Sequence, residues 1–231
     1  GAGGGHPGRI PHRGGDTDVP DYHPAMRLVC MSDTHGTGRD VVVPDGDVLV
    51  HAGDLTSRGS VHQIAREVEW LRALPHRHKV VIAGNHDFAF QLDARAARAV
   101  MEGVVYLEDE EAVLEGVRFY GSPWQPTFFD WAFNLDRGAP IRAKWDRIPT
   151  GTDVLVTHGP PMGVGDRTRA GTLVGCADLT AAVARVRPRV HVFGHIHEAY
   201  CALERDGTRF VNASTCDVHY RPVNPPIVID L

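Results

Sequence analysis

Five short Val- and Ile-rich runs in this 231-residue chain each end on residues of one narrow chemical class. Residues 27–32 (RLVCMS) lead into Asp33 and His35, and residues 47–52 (DVLVHA) lead into Gly53-Asp54. Residues 79–83 (KVVIA) end at Gly84-Asn85-His86-Asp87, 153–157 (DVLVT) at His158, and 190–193 (VHVF) at Gly194-His195-Ile196-His197. Runs this short and apolar suit strands buried on both faces, because a half-exposed strand alternates polar and apolar residues. Open α/β sheets bind ligands beyond the carboxyl ends of their strands. One such ending would carry little weight, since turns favour Asp and Asn anyway. Five in one chain, four of them bearing histidine, point to a common site.

Helical patterns lie between the runs. Val61, Ile64, Ala65, Val68 and Leu71 recur at i, i+3, i+4 spacing, with Pro75 just beyond. Residues 90–101 carry Leu92, Ala96 and Val100 ahead of a stop at Gly103. Leu179, Ala182, Val183 and Val186 form a third stripe, halted before Pro188. Strand alternating with helix predicts a layered α/β core. Hairpins are predicted at 111–121, turning at Glu115-Gly116, and at 200–213, turning at Asp206-Gly207. Ile227-Val228-Ile229, after Pro225-Pro226, predicts a closing strand. Such hairpins imply a mixed sheet or a two-sheet sandwich with helices outside.

Residues 1–25, rich in Gly, Pro, His and Arg, lack the apolar segment of a signal peptide and read as a disordered or loosely packed N-terminal arm. Residues 26–231 read as a single domain. A hydrophobic content of 42% and a charged content of 23% are those of an ordinary globular chain. No apolar stretch approaches the ~20 residues of a membrane span. The formal charge of -5 gives no basic footprint for a stable complex with long nucleic acid. Cys30, Cys176, Cys201 and Cys216 are scattered, which predicts buried thiols in a reducing cytoplasm rather than a disulfide framework or zinc ribbon.

The spacing at the strand ends has a physical sense. Asp33-Thr34-His35 and His195-Ile196-His197 each skip a residue, so both side chains leave an extended segment on one side. Gly53, Gly84 and Gly194 each precede a candidate ligand, where a missing Cβ lets backbone approach an ion. Asp33, His35, Asp54, Asn85, His158, His195 and His197 supply two carboxylates, one amide oxygen and four imidazoles. That exceeds one tetrahedral ion and suits two ions sharing a carboxylate. The N/O donor set without thiolate suits Mn, Fe, Zn, Co or Ni without choosing among them, and manganese is the ion expected. Two ions about 3.5–4 Å apart can generate a hydroxide and stabilise both oxygens of an in-line displacement at phosphorus.

The ordered set Asp33-x-His35, Gly53-Asp54, Gly84-Asn85-His86-Asp87, His158 and Gly194-His195-x-His197 resembles the calcineurin-like metallophosphoesterase superfamily. SDTH at 32–35, KVVIAGNHD at 79–87, YGSPW at 120–124, THGPP at 157–161, HVFGHIHE at 191–198, NASTC at 212–216 and NPPIVIDL at 224–231 resemble one branch of it. That branch is the small metallophosphoesterase-domain proteins related to class III cyclic-nucleotide phosphodiesterases. The resemblance implies a four-layer α/β/β/α sandwich of two mixed sheets flanked by helices. It assigns Asp33, His35 and His197 to one metal, Asn85, His158 and His195 to a second, and Asp54 to both. Some animal members carry Gly where this chain has His195, so its presence implies a fully occupied second site. In this scheme His86 donates to the phosphoryl group or leaving oxygen, and Asp87 orients it.

Other conspicuous residues have plainer readings. His51 and His191 lie within apolar runs and read as packed core histidines. The stretch 124–133 (WQPTFFDWAF) suits base stacking and packing onto the sandwich equally well. Cys216 reads as structural, and Arg167 and Arg169 as part of a solvated loop.

The function expected is hydrolysis of a small nucleotide-like phosphodiester, cyclic nucleotides included, by in-line attack of a metal-bridging hydroxide. The alternatives are a phosphomonoesterase acting on nucleotides or phosphoproteins, and a non-catalytic scaffold of the same fold. The oligomeric state is not legible in the sequence, and a dimer is compatible with it.

Overall fold

The computed structural model describes residues 25–231 together with Gly1 and Gly3. The expected N-terminal arm therefore falls almost wholly outside the described residues. The strands are β1 (Arg27–Met31), β2 (Val48–His51), β3 (His78–Val81), β4 (Val105–Tyr106), β5 (Glu110–Leu114), β6 (Val117–Ser122) and β7 (Gln125–Pro126). They continue with β8 (Asn134–Leu135), β9 (Val154–Thr157), β10 (Val190–Phe193), β11 (Cys201–Arg205), β12 (Thr208–Asn212) and β13 (Ile227–Asp230). The helices are α1 (Val61–Ala73), α2 (Ala89–Leu92), α3 (Ala94–Ala99), α4 (Ala139–Trp145) and α5 (Ala177–Val186).

Two mixed sheets carry the fold, one ordered β13-β1-β2-β3-β4 and the other β11-β12-β10-β9-β6-β5. β1, β2, β3 and β4 run parallel, with β13 antiparallel on the β1 edge. In the second sheet β6, β9, β10 and β12 run parallel, flanked by the antiparallel hairpin strands β5 and β11. Both predicted hairpins form, and their turn residues Glu115 and Asp206 take left-handed φ values of 49° and 52°.

Side-chain alternation along each strand builds the layers. Leu28, Cys30, Val48, Val50, Val80 and Ile82 point inward and meet Phe119, Val154, Val156, Val190, Val192 and Val211 of the second sheet. The alternate residues Val29, Met31, Leu49 and Val81 point outward onto Ile64, Val68 and Leu71 of α1. On the far side Tyr120, Leu155, Phe193 and Phe210 pack beneath Ile141 and Trp145 of α4 and Leu179, Val183 and Val186 of α5. The order is helix, sheet, sheet, helix, as the resemblance implied. Strands covered on both faces explain the unbroken apolar runs.

α1 starts at Ser60, whose hydroxyl accepts from Gln63 N while the Gln63 side chain returns to Ser60 N. The helix expected across 90–101 is instead broken into α2 and α3 at Asp93. Asp93 leaves helical geometry and caps Ala96 N through Oδ1, and Leu92, counted in the predicted stripe, is 79% exposed. A short carboxylate competing for backbone amides ends one turn and opens the next. No described helix is long and apolar enough to cross a membrane.

Candidate metal centre

The donor-bearing segments leave the carboxyl ends of β1, β2, β3, β9 and β10, and the two sheets bring those ends together. A bridge between Ser32 and Ser214, with Thr215 N donating to Ser32 O at 2.8 Å, stitches them just below the site. Four of the seven candidate ligands, Asp33, His35, Asp54 and His195, sit in left-handed backbone with φ values of 53°, 46°, 53° and 68°. Each such conformation costs on the order of 1–3 kcal/mol and persists where surrounding structure imposes it. Glycine clears the approach: a Cβ on Gly194 would lie 2.1 Å from Asp33 Oδ2.

Each carboxylate is held by one oxygen and presents the other. Asp33 Oδ2 accepts from Ser214 Oγ at 2.7 Å and from His195 N at 2.9 Å. Its Oδ1 is buried without a hydrogen-bond partner, 3.5 Å from His197 Nε2. Asp54 Oδ1 accepts from His86 N at 2.7 Å. Its Oδ2 lies 3.5 Å from His158 Nε2, 3.7 Å from His35 Nε2 and 4.0 Å from His86 Nε2.

Three imidazoles are oriented by backbone carbonyls. Nδ1 of His158 faces Ala52 O at 3.0 Å, Nδ1 of His197 faces Asp217 O at 2.9 Å, and Nδ1 of His86 faces Ser57 O at 3.1 Å. A carbonyl only accepts, so Nδ1 carries the proton and Nε2 turns toward the centre. There His158 Nε2 stands 2.8 Å from Asn85 Oδ1, and His197 Nε2 stands 3.3 Å from His35 Nε2.

These converging lone pairs and carboxylate oxygens call for positive charge. Burial opposes protonation of His158, but the Asp54 carboxylate outweighs it and lifts the ring to about 9. Burial likewise opposes protonation of His197, and Asp33 lifts it to about 9. Burial raises Asp33 and Asp54, yet His197 and His158 respectively hold them well below the usual carboxylate range. Burial pushes His35 down to about 4 and His195 down to about 3. An orphaned carboxylate oxygen and lone pairs turned on one another fit a divalent cation site.

The residues singled out from the sequence mostly converge. Asp33, His35 and His197 form one tight group, Asp33, Asp54 and His158 another, and His35, Asp54 and His86 a third. Asn85 joins through His158. His195 belongs to none of these groups, though its ring centroid lies 5.0 Å from that of His158. Asp87 makes no hydrogen bond to the His86 ring. Its carboxylate is wholly buried and accepts from Leu55 N, Thr56 N, Thr56 Oγ and Gly84 N, clamping the loop after β2 to the loop after β3. Burial and the Asp54 charge push it up to about 6. The Ser57 carbonyl orients His86 instead.

His51 and His191 are core histidines, bonded through Nε2 to Thr34 Oγ1 at 2.9 Å and Thr157 Oγ1 at 2.8 Å. Cys216 is buried against Thr37 and Thr34, and burial pushes its thiol up to about 11. Arg167 and Arg169 lie exposed on their loop. The aromatic stretch divides its labour: Phe133 enters the core, whereas Phe128, Phe129 and Trp131 wall a cleft of about 340 Å3 over Asp54, Asn85, His86, His195 and His197. Trp131 stacks on His86 with centroids 4.1 Å apart.

Sequence reasoning missed Tyr220 and Ser214. Tyr220 sits at φ 60° and stands edge-on to His35 with centroids 4.7 Å apart. A bulky residue in left-handed backbone signals imposed geometry. Asp217 holds that loop through His219 N, Arg221 N and the Arg221 guanidinium.

The family model described as calcineurin-like phosphoesterase matches residues 26–199, across all five donor-bearing segments. The chain belongs to the calcineurin-like phosphoesterase family. Metallophosphoesterase domain-containing protein 1 of Homo sapiens is 43% identical over 247 residues, covering 96% of this chain and 74% of that protein. A UPF0046 protein of Caenorhabditis elegans is 38% identical, covering 94% of this chain and 62% of its own length. The crystal structure of TT1561 of Thermus thermophilus shares the fold, with a TM-score of 0.56 at 12% identity over 82% of this chain and 89% of that one. Membership in the calcineurin-like phosphoesterases and the buried His/Asp clusters together support a divalent metal site and hydrolysis of phosphoesters.

Proposed function

We propose that the chain is a dinuclear-metal phosphodiesterase acting on a small nucleotide-like diester. The observation that carries this reading is Asp54 Oδ2, which lies between His35 Nε2 and His158 Nε2 where one carboxylate oxygen can serve two ions. Asp33, His35 and His197 would hold the first ion, and Asn85, His158 and His195 the second, with manganese favoured. Such ions supply Lewis-acid charge neutralisation and lower the pKa of water.

The protein's own groups do the rest. The Ser57 carbonyl fixes the His86 ring so that Nε2 faces the cleft, where an imidazolium can donate to a departing oxygen. Trp131 packs against that ring, its centroid 4.1 Å away. Water activated by the ions would serve as the nucleophile, so no enzyme nucleophile is required and no phosphoenzyme is expected. Among the described residues no Arg or Lys lines the cleft, and its aromatic walls suit the single charge of a diester better than the dianion of a monoester. All four cysteines are free, in keeping with a reducing compartment, and we place the protein in the cytoplasm.

Comparing bis-p-nitrophenyl phosphate with p-nitrophenyl phosphate under defined Mn2+ tests the reading. Faster diester turnover is expected, and faster monoester turnover makes the protein a phosphomonoesterase. Fewer than one transition metal per chain, with no Mn2+-stimulated turnover of either ester, would make it a scaffold.

A further inference from the structure

We propose that the half of the diester retained on phosphorus carries a planar aromatic or heteroaromatic ring, seated in a second pocket beneath Phe128. The inference rests on the phosphodiesterase reading and adds to it the chemistry of the half of the substrate that does not leave.

A pocket of about 370 Å3 adjoins the metal cleft and shares Phe128, His195 and Glu198 with it. That volume falls in the range of small-molecule sites, ~300–1,000 Å3. Phe128, Pro160, Val174 and Ile196 give it apolar walls. Thr168 and Glu198 supply hydrogen-bonding groups. Apolar walls with a few polar atoms are what a flat ring with edge heteroatoms requires.

The pocket is preformed. Arg137 donates to Gly175 O at 2.7 Å and to Val174 O at 2.8 Å, pinning the far wall. Buried Asp166 accepts from Gly163 N at 3.0 Å and Gly175 N at 2.9 Å through Oδ2, which fixes the loop that carries Val174. On the near side, Asn134 bonds to both Phe128 N and Phe128 O.

Its position relative to the chemistry assigns the occupant. In-line displacement puts attacking and leaving oxygens on opposite sides of phosphorus, so the retained substituent projects sideways. The leaving oxygen belongs beside His86 and Trp131. His195 borders both spaces, so a phosphoryl group beside it sends its remaining substituent under Phe128. Phe128 itself is 52% exposed, and a ring in the pocket would cover it.

Two diesters with one leaving group test this: p-nitrophenyl phenyl phosphate and p-nitrophenyl methyl phosphate. The wild-type chain should favour the phenyl ester in kcat/KM, and Val174→Trp, which fills the pocket, should cut the phenyl-over-methyl ratio by roughly tenfold. Phe128→Ala, on the exposed rim, should lower the ratio in the same sense and guards against a misfolded Val174→Trp. A ratio unmoved in both variants overturns the proposal. Calorimetric titration of the Mn2+-loaded protein with phenylphosphonate and methylphosphonate reads the same pocket without turnover. Phenylphosphonate should bind the wild type more tightly, and the preference should shrink in both variants. If neither ester is hydrolysed the phosphodiesterase reading fails, and the phosphonate ratio still decides the pocket.

Discussion

Ser214 donates its hydroxyl proton to Asp33 Oδ2 across 2.7 Å, joining residues 181 positions apart in the chain. That bond occupies one carboxylate oxygen and leaves the other turned to His197. Removing it frees the carboxylate to rotate. Ser214→Ala should weaken metal binding about 10–100-fold, the usual effect of losing a partner that orients a ligand. Competition with a chelator measures it, and an unchanged affinity would remove Ser214 from the metal centre.

Asp54→Asn should slow turnover by on the order of 100-fold or more while leaving the fold intact, because one neutral oxygen replaces the charge facing His35 and His158. Steady-state rates at saturating Mn2+ check this, with circular dichroism as the folding control. Near-native turnover is incompatible with a bridging Asp54.

His86→Ala should discriminate between leaving groups. A group that protonates the departing oxygen matters most for an alkoxide, where the loss should reach about 100-fold, and least for p-nitrophenolate. A loss independent of leaving-group pKa would instead assign His86 to positioning.

Asp87→Asn should lower stability by about 2–4 kcal/mol, since an amide can satisfy only some of the donors that its carboxylate accepts. Chemical denaturation reads the change. If stability holds and only turnover falls, Asp87 acts in the chemistry and the clamp is incidental.

Stability of the EDTA-treated protein should fall as pH rises. His158 and His197 have folded-state pKa values of about 9 against 6.5 in the open chain. Their contribution is complete below 6.5 and is lost as pH climbs through 9. Metal affinity should move oppositely, because divalent ions compete with those protons. Melting temperatures at either end of this window test the sign, and a higher value at the alkaline end contradicts it.

The strands and the chemistry at their ends were legible because each segment carries its own local signal: an apolar run buried on both faces, then a donor. The same locality explains what was misread. Asp87 neighbours His86 in the chain, yet around that turn the two side chains diverge, one into the backbone amides and one into the cleft. The break at Asp93 hid inside a stripe that Leu92 made look continuous. α4 offered just Ile141 and Trp145 as buried residues, too few to register as periodicity. Ser214 and Tyr220 reach the site only through the pairing of β12 with β10 and the turn beyond it, which no local pattern announces.

The proposed donors are divided between the sheets, with Asp33, His35, Asp54 and Asn85 arriving from the first and His158, His195 and His197 from the second. Neither half alone completes the proposed donor set of either ion. During folding, then, full coordination of the ions should wait until the halves have docked, and a loaded centre would rivet the seam it sits on. Departure of the ions should be felt first as a parting of that seam, well before the strands themselves unzip.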